Sequence, residues 1–224
     1  WGATLVSLRV PAPGGPREVV LGFDDLAPYL GGHPYVGAAV GRWANRIADG
    51  RFTLDGTPHA LARNAGGHHL HGGEVGLSRA VWHASGGENA EGPWLRLSIV
   101  SPDGADGFPG TLRVSLRYAL HADALRLDWT ATTDRPTPVN LTHHAYFNLA
   151  GGGDVLGHRL RVLADRFLPV DAGLIPTGEL RPVDGTPMDL RDGAVIGERV
   201  GVDDPQVRLA GGFDHCWVLA DAPG

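Results

Sequence analysis

The sequence contains no lysine, since each of its 19 basic residues is an arginine. A lysine Schiff base with a carbonyl substrate or with pyridoxal phosphate is therefore excluded for these 224 residues, as is a phosphate-binding loop that ends in lysine. The only cysteine, Cys216, leaves no internal disulfide. One cysteine and no visible signal peptide favour a reducing compartment, and we expect a cytoplasmic location.

Long apolar runs and a strong positive charge are also missing. No run approaches the roughly 18 apolar residues of a membrane-spanning helix, so we expect no membrane partner. The net charge of −6 argues against a nucleic-acid partner. Hydrophobic residues make up 42% of the chain, which is enough to form a core. The composition therefore predicts a folded chain that binds neither nucleic acid nor membrane.

Helical periodicity is scarce, and the one short candidate helix runs from Asp24, a possible cap, to Leu30. Apolar and polar residues alternate along residues 112–120 and again along 125–132, which predicts two half-buried strands joined as a hairpin by residues 121–123. The 34 glycines and 17 prolines are spread along the chain, as expected for short strands joined by turns.

A second hairpin is predicted around Asp55-Gly56, the dipeptide favoured in two-residue turns, with strands at residues 51–54 and 57–61. There is no internal repeat or linker. The fold class predicted from these patterns is all-β, a large antiparallel β-sandwich forming one domain over residues 1–224.

Residues 139–149 (VNLTHHAYFNL) carry the clearest candidate chemistry. In a strand, side chains alternate between the two faces. Asn140, Thr142, His144, Tyr146 and Asn148 would share one polar face, and the other face would be apolar except for a histidine at 143. The pattern alone leaves open whether the polar face binds a ligand or simply faces solvent. His143 is expected to be a hydrogen-bonded, partly buried histidine rather than a catalyst.

Residues 64–73 (NAGGHHLHGG) place three histidines among glycines, which allow the backbone to approach a ligand closely. One interpretation makes His69 and His71 metal ligands with Glu74, as in cupin-like enzymes, although the spacing to Glu74 is short for that motif. In a second interpretation, one imidazole forms a hydrogen bond to a polar substrate. The third is an exposed histidine-rich loop.

Residues 41–50 (GRWANRIADG) and Asp214 add polar groups of other kinds. The planar fork of an arginine suits vicinal hydroxyls as well as carboxylates. For Arg42 and Arg51 an exposed structural role is the simpler expectation. Asp214 is surrounded in sequence by aromatic and apolar residues, so the carboxylate needs partners if it is buried.

Six segments, taken in chain order, resemble the aldose 1-epimerase (galactose mutarotase) family. They cover nearly the whole chain, and the patterns TxHxYFNLxG and LHGG are specific. The segments are GRWANRIADGRFTLDG (41–56), HLHGGEVGLSRAVW (69–82), DGFPGTL (106–112), VNLTHHAYFNLAG (139–151), DAGLIPTGEL (171–180) and GFDHCW (212–217).

The resemblance implies an antiparallel β-sandwich that interconverts the α and β anomers of free aldohexoses such as glucose and galactose, without metal or cofactor and as a monomer or homodimer. It implies that His144 is the general acid that protonates the ring oxygen. A histidine able to titrate near neutral pH suits proton transfer in both directions. His71 would contact the sugar near the ring oxygen, and a cationic His71 or Arg46 would favour charge developing there.

Four residues complete the site that the resemblance implies. Asn45 and Arg46 correspond to a sugar-binding pair, Tyr146 lies beside the acid in the binding stretch, and Asp214 corresponds to the carboxylate that holds sugar hydroxyls. The family's general base is a glutamate on a later strand. We nominate none of the six glutamates present and expect the base, with the family's last strands and its N-terminal start, to lie outside residues 1–224.

Three residues depart from the family pattern: His143 stands in place of asparagine, Ala145 in place of a common serine, and Trp217 in place of a frequent tyrosine. The first two leave the sugar preference open. A sugar-phosphate substrate is disfavoured because no extra basic cluster is present. The alternatives that remain are a non-catalytic sugar-binding protein on the same fold and the metal-dependent cupin-like enzyme.

Overall fold

Strands dominate the computed structural model, which describes residues 1–32, 34–121 and 123–220. The chain divides into two units, residues 1–147 and 148–224. In the described part there are only three α-helices, none longer than six residues, and none is long and apolar enough to cross a membrane. The expected all-β class is confirmed.

The first unit holds twelve of the described strands and one helix. They are β1 (Arg9–Val10), β2 (Arg17–Glu18), α1 (Leu26–Leu30), β3 (Ala39–Val40), β4 (Arg46–Ile47), β5 (Arg51–Leu54), β6 (Thr57–Ala60), β7 (His69–Leu70), β8 (His83–Asn89), β9 (Gly92–Ser101), β10 (Leu112–His121), β11 (Ala124–Thr133) and β12 (Thr142–His143). Two 3-10 turns, Ala48–Gly50 and Ala105–Gly107, lie between them.

Four long strands form an antiparallel sheet in the order β11-β10-β9-β8. The predicted alternation is correct along most of β10, because Leu112, Val114 and Leu116 are buried in the core of the first unit. Leu120, at the end of the strand, is exposed. The pairing of β10 with β11 confirms the first predicted hairpin; Ala122, in its connection, lies outside the described residues.

The second predicted hairpin is confirmed by the pairing of β5 with β6 around Asp55-Gly56. Both turn residues have positive φ (49° and 77°), as a tight two-residue hairpin requires. The predicted cap of α1 is wrong by one residue, because the helix starts at Leu26 and its N-cap is Asp25, whose side chain makes no capping hydrogen bond.

The second unit has its own small core, built around Phe167, Val183, Met188 and Val207. The two helices described in this unit are too short to be predicted from periodicity. The second of them, α3 (Pro205–Ala210), starts at a proline, and the Asp204 side chain accepts hydrogen bonds from two backbone N–H groups of the first turn of this helix. The elements of the second unit are β13 (Arg159–Leu160), β14 (Ala164–Leu168), β15 (Arg181–Pro182), β16 (Ala194–Val195), α2 (Ile196–Val200), α3 (Pro205–Ala210) and β17 (Cys216–Leu219).

Candidate active site

The pairing of β4 with β7 brings the NRI segment against the LHGG segment in the first unit. At the end of this ladder, the backbone N–H of His71 donates to the carbonyl of Asn45 (3.2 Å). In return, the backbone N–H of Asn45 donates to Nδ1 of the His71 ring (3.0 Å). Both residues have positive φ, 65° and 53°. The backbone and ring of His71 are therefore both held by Asn45, the residue that directly precedes β4.

This contact determines which nitrogen of His71 carries a proton. Because Nδ1 accepts a hydrogen bond, the proton of the neutral ring is on Nε2. Burial, followed by the nearby His144 and Arg46, lowers the pKa of His71 to about 4. His71 is therefore a neutral donor through Nε2 at pH 7, which leaves Arg46 as the cation of the two residues that the sequence analysis considered for that role.

His144 follows β12 directly and is held by the backbone of the segment before β3. Its N–H donates to Ala38 O (2.9 Å), and its carbonyl accepts from Gly37 N (3.0 Å). The His144 ring lies 5.2 Å from the His71 ring, centroid to centroid, at an interplanar angle of 87°. The structure thus brings together the two histidines that the sequence analysis selects.

Two tyrosines flank this histidine pair. The ring centroid of Tyr146 is 5.0 Å from that of His144, and its hydroxyl donates to Pro34 O (2.8 Å). Tyr35 packs edge-on against His71 with centroids 4.6 Å apart and lies 5.9 Å from His144. Burial raises the pKa of Tyr35, so the phenol stays neutral. Sequence reasoning missed Tyr35, whose only signal was an aromatic residue in a glycine- and proline-rich turn.

Asn45 and Arg46 lie beside His71 and act on each other. The Asn45 side-chain oxygen accepts from the backbone N–H of Arg46 (2.8 Å) and from its guanidinium (3.4 Å). These contacts leave the Asn45 amide as a donor group at an exposed position. The two residues therefore hold each other in place through their own hydrogen bonds.

The strand predicted over residues 139–149 is interrupted. Regular pairing covers only β12, followed by an isolated bridge at Phe147. Leu141 packs on the core as predicted, but Phe147 and Leu149 are 55% and 60% exposed, which contradicts an apolar core face along the whole segment. Alternation fails there because the ladder that imposes it ends at His143.

The far members of the predicted polar row have local roles. Asn140 donates from its side chain to Ala44 O (3.3 Å). Asn148, in the second unit, donates to the carbonyls of Gly152 and Gly153. The polar row is therefore reduced to its centre, around His144 and Tyr146.

His143 has the structural role that the sequence analysis expects. Its Nε2 lies 2.9 Å from the hydroxyl of Tyr118, which donates its own proton to Ala3 O. Because that proton is already used, His143 must donate through Nε2. Burial lowers the pKa of His143 to about 4, so the ring is neutral at pH 7.

The metal-site interpretation of residues 64–73 finds no support in the geometry. His69 is fully buried and donates from Nδ1 to Ala62 O (2.8 Å), and burial lowers its pKa. His71 uses Nδ1 to accept from Asn45. Within residues 1–32, 34–121 and 123–220, no group of three or more His, Cys, Asp or Glu side chains could hold a metal ion. His69, His71 and Glu74 are therefore not a ligand set here.

Arg42 is structural but not exposed, which corrects the expectation for this residue. Only 2% of it is accessible, and its guanidinium donates to Ser101 Oγ and to the carbonyls of Ser101, Pro102 and Pro109. Its burial is possible because these acceptors satisfy the guanidinium donors. Arg51 is exposed, as expected.

Asp214 lies in the second unit, just before β17, and is exposed. Nearby, Trp217 donates from its indole nitrogen to Met188 O (3.0 Å) and packs edge-on against Phe213. Trp217, which stands where the family often has tyrosine, thus belongs to the core of this unit. The role of Asp214 in sugar binding stays a prediction.

The lowered histidine pKa values predict a specific pH dependence of stability. His71 and His143 titrate near pH 4 when folded but near 6.5 when unfolded, so the unfolded chain binds more protons between these values. The free energy of unfolding should fall by about 1.4 kcal/mol per pH unit for each of them as the pH drops from 6.5 towards 4.

Urea unfolding of the full-length protein at pH 7, 6 and 5 measures this slope. His143→Asn should reduce the slope by about 1.4 kcal/mol per pH unit, because one of the two groups is removed. An unchanged slope in this variant would contradict the buried neutral state of His143.

The family model "Aldose 1-epimerase" matches residues 1–222. Galactose mutarotase from Sus scrofa is 46% identical over 98% of this chain, and aldose 1-epimerase from Escherichia coli K12 is 40% identical over the same share. The chain belongs to the aldose 1-epimerase family, as the sequence motifs predict.

The solved structures confirm the sandwich fold. Galactose 1-epimerase from Lactobacillus acidophilus NCFM matches with a TM-score of 0.91 and 32% identity, covering 100% of this chain and 66% of that protein. The chain spans about 62% of the length of the curated relative from Sus scrofa and 63% of the Escherichia coli one.

Proposed function

We propose that this protein is an aldose 1-epimerase that interconverts the α and β anomers of free aldohexoses such as glucose and galactose. The observation that carries the proposal is the perpendicular packing of His71 and His144, 5.2 Å apart, in a family whose named relatives are mutarotases and epimerases. We propose that it works without a metal or cofactor, in the cytoplasm, as a monomer or homodimer and as a single domain.

The charges of the histidine pair support different roles for its members. Two imidazolium rings at this distance would repel each other. The low pKa of His71 makes it neutral at pH 7, which suits a hydrogen-bond donor rather than an acid. His144 is therefore the proposed general acid, and His71 the proposed hydrogen-bond donor to the sugar near its ring oxygen.

In the proposed ring opening, His144 gives a proton to the ring oxygen while a base removes the proton of the C1 hydroxyl. The bond between C1 and the ring oxygen breaks and C1 becomes an aldehyde. Rotation about the C1–C2 bond exposes the other face of the carbonyl, and the same transfers in reverse close the ring. One histidine can serve both directions because it can give and regain the same proton.

The remaining residues are proposed to bind the sugar. Asn45 and Arg46 offer an amide and a guanidinium next to His71, and Tyr146 places a ring against His144. Asp214 is proposed to hold sugar hydroxyls. No glutamate of this chain is proposed as the base; Glu18, for example, accepts from Ser7 and from the backbone N–H of Leu8.

The proposal predicts that the full-length protein accelerates the anomer exchange of α-D-glucose or α-D-galactose above the rate in buffer. Polarimetry follows the exchange directly, and NMR of the anomeric protons follows it at equilibrium. Acceleration should be weaker with glucose 6-phosphate, because the proposed site offers no extra basic cluster for a phosphate.

Absence of acceleration with every common aldohexose would contradict the proposal. Saturable sugar binding without exchange, measured by calorimetry, would instead support a non-catalytic sugar-binding protein. A rate that is lost with a chelator and restored by metal would favour the metal-dependent alternative.

A further inference from the structure

The turn that follows β7, residues 71–76, is here called the His71 turn. It is packed closely on both sides. A Cβ on Gly72 would lie 1.8 Å from Gly41 O, and a Cβ on Gly73 would lie 2.3 Å from a carboxylate oxygen of Asp106. Both glycines also have positive φ, 90° and 104°. A residue with a Cβ would clash at either position. The backbone of Gly41 and the side chain of Asp106 therefore constrain the path of this turn.

The Asp106 carboxylate binds the backbone of the His71 turn at three points. Oδ1 accepts from the N–H groups of Glu74 (3.0 Å) and Val75 (3.5 Å), and Oδ2 accepts from that of Gly76 (3.2 Å). Hydrogen bonds to a charged acceptor are stronger than neutral ones. A single side chain therefore satisfies three successive backbone donors.

Asp106 is itself held firmly. It lies in the 3-10 turn Ala105–Gly107, and its carbonyl accepts from the backbone N–H of Ala62 (3.1 Å). The Asn64 side chain binds residues on both sides of His71, because it donates to the carbonyls of Leu70 and Gly73 and accepts from Leu70 N–H. Asp106 binds the next three residues of the turn and is the charged one of these two side chains.

We propose that Asp106 is a positioning residue for His71, which fixes the turn so that Nδ1 of the ring meets the backbone N–H of Asn45. The catalytic consequence rests on the proposed function; the structural one does not. Asp106 is proposed to act through the backbone of the turn, because its carboxylate oxygens accept from three N–H groups there. Without it the turn relaxes, Nδ1 leaves Asn45, and Nε2 no longer points in one direction.

The test uses Asp106→Ala and Asp106→Asn in the full-length protein. Asn has the size of Asp and keeps one accepting oxygen, so this variant retains the packing against Gly73. Asp103→Asn is the matched control. Asp103 lies three residues away and accepts from Gly110 N (2.7 Å), with Arg135 as its ion partner, and it has no bond to the His71 turn in the described residues.

Two readouts are measured. We expect kcat for anomer exchange to fall about 10- to 100-fold in both Asp106 variants, with KM changed less than threefold, because a displaced group loses transition-state contacts first. NMR titration of the His71 ring, assigned by the loss of its signal in His71→Asn, should show its pKa rising from about 4 by one unit or more as the ring becomes solvated.

Wild-type kcat together with a wild-type His71 pKa in either folded Asp106 variant would overturn the proposal. Equal changes in Asp103→Asn would also overturn it, because they would indicate general loosening of the loop. If Asp106→Ala does not fold, Asp106→Asn decides alone. If the wild-type protein has no exchange activity, the proposed function fails, and the NMR titration still decides whether Asp106 positions His71.

Discussion

His144→Ala is expected to lower kcat for anomer exchange by about 10²- to 10⁴-fold, the usual contribution of a general acid. KM should change little, because alanine removes a proton donor rather than a main sugar-binding contact. The measurement is the exchange rate of glucose or galactose at saturating sugar, followed by polarimetry.

His143→Asn is the matched control for this variant. It removes the neighbouring histidine, which is bonded to Tyr118 rather than turned towards His71. Its kcat should stay within a few-fold of wild type, while its stability changes. Equal losses in the two variants would contradict the assignment of His144 as the acid, and so would a His144→Ala enzyme with wild-type kcat.

His71→Asn is the second variant with a large expected effect. It removes the Nε2–H donor, and loss of one such donor to a developing charge costs about 10²- to 10³-fold in kcat. Because His71 is neutral above pH 4, the ratio of wild-type to variant kcat/KM should be the same at pH 5.5 and pH 8. Rate profiles measured across this range test both statements.

His68→Asn is the control within the same histidine-rich segment. His68 accepts from the backbone N–H of Asp49 (3.0 Å) and contributes to the loop rather than to the histidine pair. We expect near wild-type rates. A wild-type to His71→Asn ratio that grows as the pH falls would show that His71 acts as a cation, contrary to the lowered pKa.

Sequence patterns predict the parts of this fold that depend on residues close together in the sequence. The Asp55-Gly56 turn has the dihedral angles that its residue types favour, and the alternation along β10 is correct from Leu112 to Leu116. His143 and His144 are separated correctly because β12 is regular at that point. The pattern fails beyond β12, where pairing and therefore alternation stop.

Non-local contacts determine what the sequence does not show. Arg42 is buried because the carbonyls of Ser101, Pro102 and Pro109, about 60 residues away in sequence, surround it. Tyr35 is placed by packing on His71 and His144. The neutral state of His71 depends on burial, on His144 and on Arg46, and none of these can be obtained from the sequence around residue 71.

If the protein acts as proposed, the hydrogen bond from Asn45 to the His71 ring affects how it recognises the two anomers. With Nδ1 bonded to the backbone N–H of Asn45, one orientation and one tautomer of the ring are favoured, in which Nε2 is the donor. The α and β anomers differ at C1 and share the ring oxygen. A fixed donor near that shared atom would hold both anomers alike. Similar binding of the two anomers would suit a catalyst that converts each anomer into the other.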